Sequence, residues 1–178
     1  MEKIKRKAYG KINLSLDVIG KRDNGYHEVE MVMQRVSLHD TVTIKKVASG
    51  ITLNSNNKEL PLNEGNIAYQ AAMLMIAHFH LLEGVEITID KNIPVAAGMA
   101  GGSTDAAAVL LGINELFALQ ASEETLAKLA LTLGADVPFC LGEKTALAQG
   151  IGEILTPLTP LCDCSIFISK PNFGVSPK

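Results

Sequence analysis

Tryptophan is missing from this sequence and aromatic residues make up only 4% of it. Stacking surfaces are therefore few, and the core must be built from Ala, Leu, Ile, Val and Met. Cysteine is scarce too. Cys140, Cys162 and Cys164 form an odd set with no C-x-x-C pair and no histidine at zinc-finger spacing, which excludes a disulfide framework and a structural zinc site and fits a reducing cytoplasm. Neither sign of charge dominates: 16 Lys and Arg stand against 19 Asp and Glu, a net charge of −3. That balance argues against nucleic acid as the main partner. The one basic cluster, Lys3, Lys5, Arg6 and Lys7, reads as a solvated strand edge. Long apolar runs are absent. The longest, residues 71–77, is far short of the roughly 20 residues that span a bilayer, and Lys11, Asn13 and Asp17 interrupt the stretch a signal peptide would need.

Against these absences stand a 47% hydrophobic content and 178 residues, enough for one large domain, or for one domain and a piece of another. Alternation over residues 8–18 predicts a half-buried strand, with Ala8, Gly10, Ile12, Leu14, Leu16 and Val18 on one face and Tyr9, Lys11, Asn13, Ser15 and Asp17 on the other. The turn dipeptide Asn24-Gly25 returns the chain into a second strand over 28–37. A turn at His39-Asp40 precedes a third over 41–47, and 51–54 adds a short fourth. Helical spacing follows over 66–82, with Ile67, Ala71, Leu74, His78 and Leu81 as its stripe and Gly84 as its stop. His78 there reads as a packed residue and His80 as a surface one. A strand over 85–90 leads to a glycine-rich loop and an apolar helix. Ser122 with Glu123 and Glu124 starts another helix, striped by Leu126, Leu129, Ala130 and Leu133 and ended by Gly134. Strand-like pieces at 145–148, 154–156 and 164–169 close the chain. The order predicts an α+β fold.

The glycine-rich loop, Pro94-Val95-Ala96-Ala97-Gly98-Met99-Ala100-Gly101-Gly102-Ser103-Thr104-Asp105, is the organising stretch. Glycines in three of five positions free the backbone to turn consecutive N–H groups toward one anion. Ser103, Thr104 and Asp105 then open a helix whose unpaired amides and positive dipole end face the same spot. Gly102 stands where a Walker A loop needs its lysine, and the spacing does not fit G-x-G-x-x-G. Two readings stay open on spacing alone: a phosphate cradle, or a tight turn that lets an alanine-rich helix pack against a sheet. A cradle without its own lysine leaves charge to other groups, and Lys11 and Asp136 are the candidates. An aspartate beside a lysine in a water-poor cleft can accept a hydroxyl proton during phosphoryl transfer. Read singly, Lys11 is an exposed strand lysine and Asp136 a loop or cap aspartate.

Ala8-Tyr9-Gly10-Lys11-Ile12-Asn13-Leu14, Gly25-Tyr26-His27, the loop and Gly134-Ala135-Asp136-Val137-Pro138, in this order, resemble the GHMP kinase superfamily. The resemblance runs to Phe173-Gly174-Val175-Ser176, although Ala100 replaces the superfamily's usual glycine. It implies the superfamily's amino-terminal domain, similar in fold to domain 2 of ribosomal protein S5. It also implies the branch that moves the γ-phosphate of ATP to the 2-hydroxyl of a cytidine diphosphate-linked methylerythritol in isoprenoid-precursor biosynthesis. Carried over by position, Asp136 is the proton acceptor and Lys11 its companion. Asn13, Tyr26 and His27 meet the substrate, residues 94–104 hold ATP, and Asn66 and Lys91 lie near the nucleotide. Magnesium is expected with ATP, and the sequence fixes no protein ligand for it. The same resemblance divides the chain into a catalytic domain at 1–160 and the start of a second domain at 161–178. Turnover by the 178 residues alone is not expected, and exposed apolar surface is expected over 162–176. The rivals are a related kinase for a mevalonate-pathway or sugar substrate, separated by whether Tyr26 and His27 read a base, and an RNA-binding module of similar fold.

Overall fold

Residues 2–23, 25–142, 144–161 and 164–170 are described by the computed structural model. Two long strands, β1 (Lys3–Lys21) and β2 (His27–Val47), pair antiparallel along nearly their whole length. β3 (Ile51–Ser55) runs parallel to β4 (Gly84–Asp90). β2 is the spine, for its second edge takes β4 along residues 41–47 and β5 (Thr145–Gln149) along 31–34. β6 (Ile154–Pro157) completes a six-stranded sheet in the order β3-β4-β2-β5-β6, with β1 on β2. Between β4 and β5 the spine's edge is open, and there the chain leaving β4 crosses it.

The turn expected at His39-Asp40 does not exist, because β2 runs straight through it. Asp40 is fully buried in the strand. Its Oδ1 accepts the N–H groups of Asn92 and Ile93 at 2.6 and 2.7 Å, and its Oδ2 takes the Lys91 ammonium. A distant segment satisfies the carboxylate, so no local turn has to. Asn24 of the expected Asn-Gly turn lies outside the described residues.

Strict alternation in β1 fails as well. Bulges between Tyr9 and Lys11, Asn13 and Ser15, and Val18 and Gly20 each shift the register, and a shift of one residue exchanges the faces of everything beyond it. Lys11 is thereby turned inward to 5% exposure, while Leu14, Leu16 and Val18, expected inside, are 46%, 50% and 58% exposed.

α1 (Ile67–His78) is capped by Asn66, whose Oδ1 accepts the Ala68 N–H at 2.9 Å. It stops at His78, short of the expected Leu82, and it buries Ala68, Ala71, Ala72 and Met75 rather than the Ile67, Leu74 and His78 stripe. Its small face is the one turned inward because it packs on the alanine-rich α2 (Gly101–Leu116). Gly84 does not stop the helix. It opens β4, where a Cβ would stand 2.0 Å from the Gly50 carbonyl oxygen, so no side chain fits. α2 begins two residues before the expected Ser103 and is buried almost all round from Thr104 to Leu110, as its composition predicts.

α3 (Glu123–Leu133) follows its sequence signals closely: Ser122 Oγ accepts the Thr125 N–H at 3.2 Å, and Leu126, Leu129 and Ala130 face inward. α4 (Val137–Cys140) is a single turn. Val42, Ile44, Ile87 and Ile89 of the sheet close the main core with the three longer helices. A second, smaller core of Met31, Met33, Phe139, Ala146 and Ala148 fixes α4 to the β2–β5 half of the sheet. Residues 164–169 form no strand. Leu161, Ile166, Phe167 and Ile168 are 50%, 41%, 93% and 41% exposed, in line with the apolar surface expected there, whereas Cys162 and residues 171–176 lie outside the described set. Among the described residues no helix is long and apolar enough to cross a membrane.

Candidate active site

The glycine loop bridges β4 and α2 across the opening in the spine's edge. Ala96, Gly98 and Ala100 have φ of 54°, 70° and 54°, while Ala97 and Met99 between them do not share this hand. Alternating hands turn successive N–H groups to one side, forming the concavity that accepts an anion. Two of the three left-handed residues are alanines, which pay a steric penalty that glycine avoids. At Gly98 a Cβ would meet nothing within 4 Å, so the loop faces open space here rather than packed methyls. α2 starts from Ala100 with no side-chain cap, leaving its first amides and its dipole directed at the same place. Leu60, Asn66, Lys91, residues 94–102 and Asp105 line a cleft of about 250 Å³. That is below the roughly 300–1,000 Å³ that encloses a whole drug-sized ligand, and it has room for phosphate groups.

The loop is tied to β1. The Lys11 N–H donates to the Met99 carbonyl at 3.1 Å, and Thr104 Oγ1 donates to the Tyr9 carbonyl at 2.8 Å. These bonds set Lys11 beside the start of α2. Its Nζ donates to Asn13 Oδ1 at 3.1 Å and stands 3.5 Å from Asp136 Oδ2. An ammonium has three donors, so one direction remains for a further oxygen. Asp136 precedes α4 but makes no side-chain cap bond, and its carboxylate is one-third exposed while Lys11 is buried. The fold therefore brings Lys11, Asn13 and Asp136 together at the edge of the loop. Behind them, burial first and then the Asp136 charge push the Cys140 thiol up to about 12, so it stays neutral.

Asn66 and Lys91 line the cleft with their polar ends already engaged. The Asn66 amide caps α1 and donates to the Pro61 carbonyl at 3.0 Å. The Lys91 ammonium is buried under Gly101, where a Cβ would come within 2.8 Å of it, and pairs with Asp40 and, at 3.1 Å, with Asp105 Oδ2. Tyr26 and His27 stand at the far end of the hairpin. His27 is exposed and pairs with Lys21, ten positions along β1 from Lys11, which is about 30 Å of ribbon when straight. Asp40 and the pairing of Lys91 with Asp105 went unread in the sequence. Asp105, a carboxylate leading an alanine run, was the available signal; Asp40 offered none.

Fold and loop are similar to the amino-terminal domain of the GHMP kinases: residues 66–144 match the family described as GHMP kinases N terminal domain. The chain is a homologue of the 4-diphosphocytidyl-2-C-methyl-D-erythritol kinases within that superfamily. It is 55% identical to the one from Lachnoclostridium phytofermentans, over 100% of this chain and 62% of the relative, and 53% identical to that of Clostridioides difficile, over 100% and 61%. A crystal structure of 4-(cytidine 5'-diphospho)-2C-methyl-D-erythritol kinase superposes with a TM-score of 0.74 at 40% identity, over 87% of this chain and 55% of that one. The mevalonate kinase of Methanococcus jannaschii, at 14% identity and a TM-score of 0.67 over 88% and 56%, shares the fold alone. The chain thus spans about three-fifths of the length of its curated relatives.

Proposed function

We propose that this chain supplies the ATP cradle and the proton acceptor of a kinase acting on the 2-hydroxyl of 4-diphosphocytidyl-2-C-methyl-D-erythritol. The observation that carries the reading is the Lys11–Asp136 pair held at the rim of the glycine loop by the Lys11–Met99 backbone bond. In this reading the amides of residues 98–103 grip the triphosphate and leave its terminal group facing Lys11. Asp136 accepts the hydroxyl proton as the substrate oxygen bonds to the γ-phosphorus and the bond to the β-phosphate oxygen breaks, releasing ADP. Lys11 orients the carboxylate and offsets the developing charge, and Asn13 fixes Lys11.

Among the described residues no three His, Cys, Asp or Glu side chains converge as a site for magnesium. Such an ion would arrive on the nucleotide's own phosphate oxygens. Tyr26 and His27 are assigned to the cytidine, residues 1–160 to the catalytic domain and 161–178 to the start of a second, and the protein to the cytoplasm. The partners are ATP and the small-molecule alcohol, with neither nucleic acid nor a membrane. Phosphorylation assays on the full-length enzyme with the cytidyl substrate, mevalonate and galactose side by side test the reading. Turnover of the cytidyl substrate alone supports it, and turnover of either other alcohol in its place contradicts it.

A further inference from the structure

Beneath the cradle lies a buried group that the phosphoryl-transfer scheme does not use. Lys91, Asp40 and Asp105 are each no more than 3% exposed at the side chain, and one cation serves two carboxylates. The three are unequally satisfied. Asp40 receives the ammonium and two backbone N–H groups, whereas Asp105 has Lys91 at 3.1 Å on Oδ2 and, when it holds a proton, the Asp40 carboxylate to donate to. Asp105 Oδ1 is buried with no partner among the described residues. An ionised carboxylate in that position would be a charge left without compensation.

Asp105 and Lys91 also form part of the cleft lining, with the ammonium directly under Gly101. The floor of the cradle thus carries no net charge when Asp105 holds a proton, and one negative charge when it does not.

We propose that Asp105 is a positioning residue that acts through Lys91: held as a neutral acid, it keeps the floor of the phosphate cradle from repelling the polyanion and leaves the ammonium's field directed at it. The inference rests on the cradle reading given above. Burial, reinforced by Asp40 and opposed by Lys91, raises Asp105 to about 8, so its proton is present at neutral pH and is lost just above it. Of the elements around α2, β2 contributes Asp40 and the segment after β4 contributes Lys91. α4 contributes the neutral Cys140 thiol, behind which stand Lys11 of β1 and Asp136. The faces of α1 and α3 buried against the core are apolar. Because linkage is reciprocal, a bound triphosphate must raise the Asp105 midpoint further, by the same factor with which loss of the proton weakens binding.

The test is ATP binding to the chain from pH 6 to 9.5, with the Asp105 carboxyl followed by carbon-13 NMR with and without ATP. The wild-type chain is expected to bind about tenfold more weakly at pH 9 than at pH 7, and its Asp105 midpoint is expected to move upward when ATP is added. Asp105→Asn is expected to flatten the alkaline fall. ATP binding at pH 7 together with an Asp105 midpoint that ATP does not move, or with an unchanged alkaline fall in Asp105→Asn, overturns the inference while leaving the cradle standing. No binding of ATP at any pH overturns the cradle, and the inference with it. The wild-type titration decides the matter even if the variant does not fold.

Discussion

The two ends of the β1–β2 ribbon are built on opposite terms. At the end that meets α2, the Lys11 backbone N–H and the Thr104 hydroxyl tie strand to loop, Lys11 is 5% exposed, and Phe139 of α4 is 1% exposed. At the hairpin end, Leu14, Leu16, Val18 and Tyr26 are each at least 46% exposed. Chemistry that needs side chains held to within a fraction of an ångström belongs at the first end. A ribbon that presents its side chains to solvent suits contact with an extended ligand. One pair of strands thus joins a rigid corner, the proposed site of phosphoryl transfer, to an accessible arm.

The largest effect that could break this contrast is at the corner. In the active enzyme, Asp136→Asn should lower turnover by roughly 10³-fold or more while ATP affinity stays within a few-fold, as steady-state kinetics and nucleotide titration will read. Near-normal turnover would remove Asp136 from its role. Next in size, Phe139→Ala should destabilise the chain by about 3–5 kcal/mol in urea unfolding, since its ring fills the small core that seats Asp136. A loss under about 1 kcal/mol would mean that the corner is not rigidly held.

Asp105 sharpens the contrast through pH. Its folded-state value, raised to about 8, lies above the ordinary carboxylate range, so the folded chain binds the proton more tightly than the unfolded chain. The associated stability is therefore complete below about pH 4 and is lost as pH rises to about 8. Thermal melts of the wild-type chain should show this decline, amounting to a few kcal/mol, and Asp105→Asn should remove most of it. Parallel profiles for the two proteins would show that Asp105 titrates normally. Smallest of all, Leu16→Ser on the exposed arm should change stability by no more than about 0.5 kcal/mol. A loss approaching that of Phe139→Ala would show that the arm is packed after all.

Much of the corner was legible because its signals are local. Ser122 and its two glutamates mark the start of α3, and the glycines and small residues of 98–103 mark the turn into α2 that is proposed as the cradle. Lys11 and Asn13 two apart on a strand predict their contact. What stayed hidden depends on distant chain. Asp40 sits in a strand only because Lys91, Asn92 and Ile93 come to it from the other side of the opening, so a turn was the natural reading of His39-Asp40. Bulges in β1 carry no residue signature strong enough to override clean alternation, and one of them turns Lys11 inward. The buried face of α1 differs from its periodic stripe because large apolar residues outweigh alanines in any periodicity, yet close packing on α2 selects the alanines. Gly84 resembled a helix stop, and only the approach of Gly50 reveals its role.

The most direct measurement is the movement of backbone amide resonances when ATP is added to the isotope-labelled chain. The largest shifts should fall on Gly98, Ala100, Gly101, Gly102 and Ser103, with Lys11 following through its bond to Met99. Shifts confined to other parts of the molecule, or none at saturating ATP, would contradict the phosphate cradle and the account built on it.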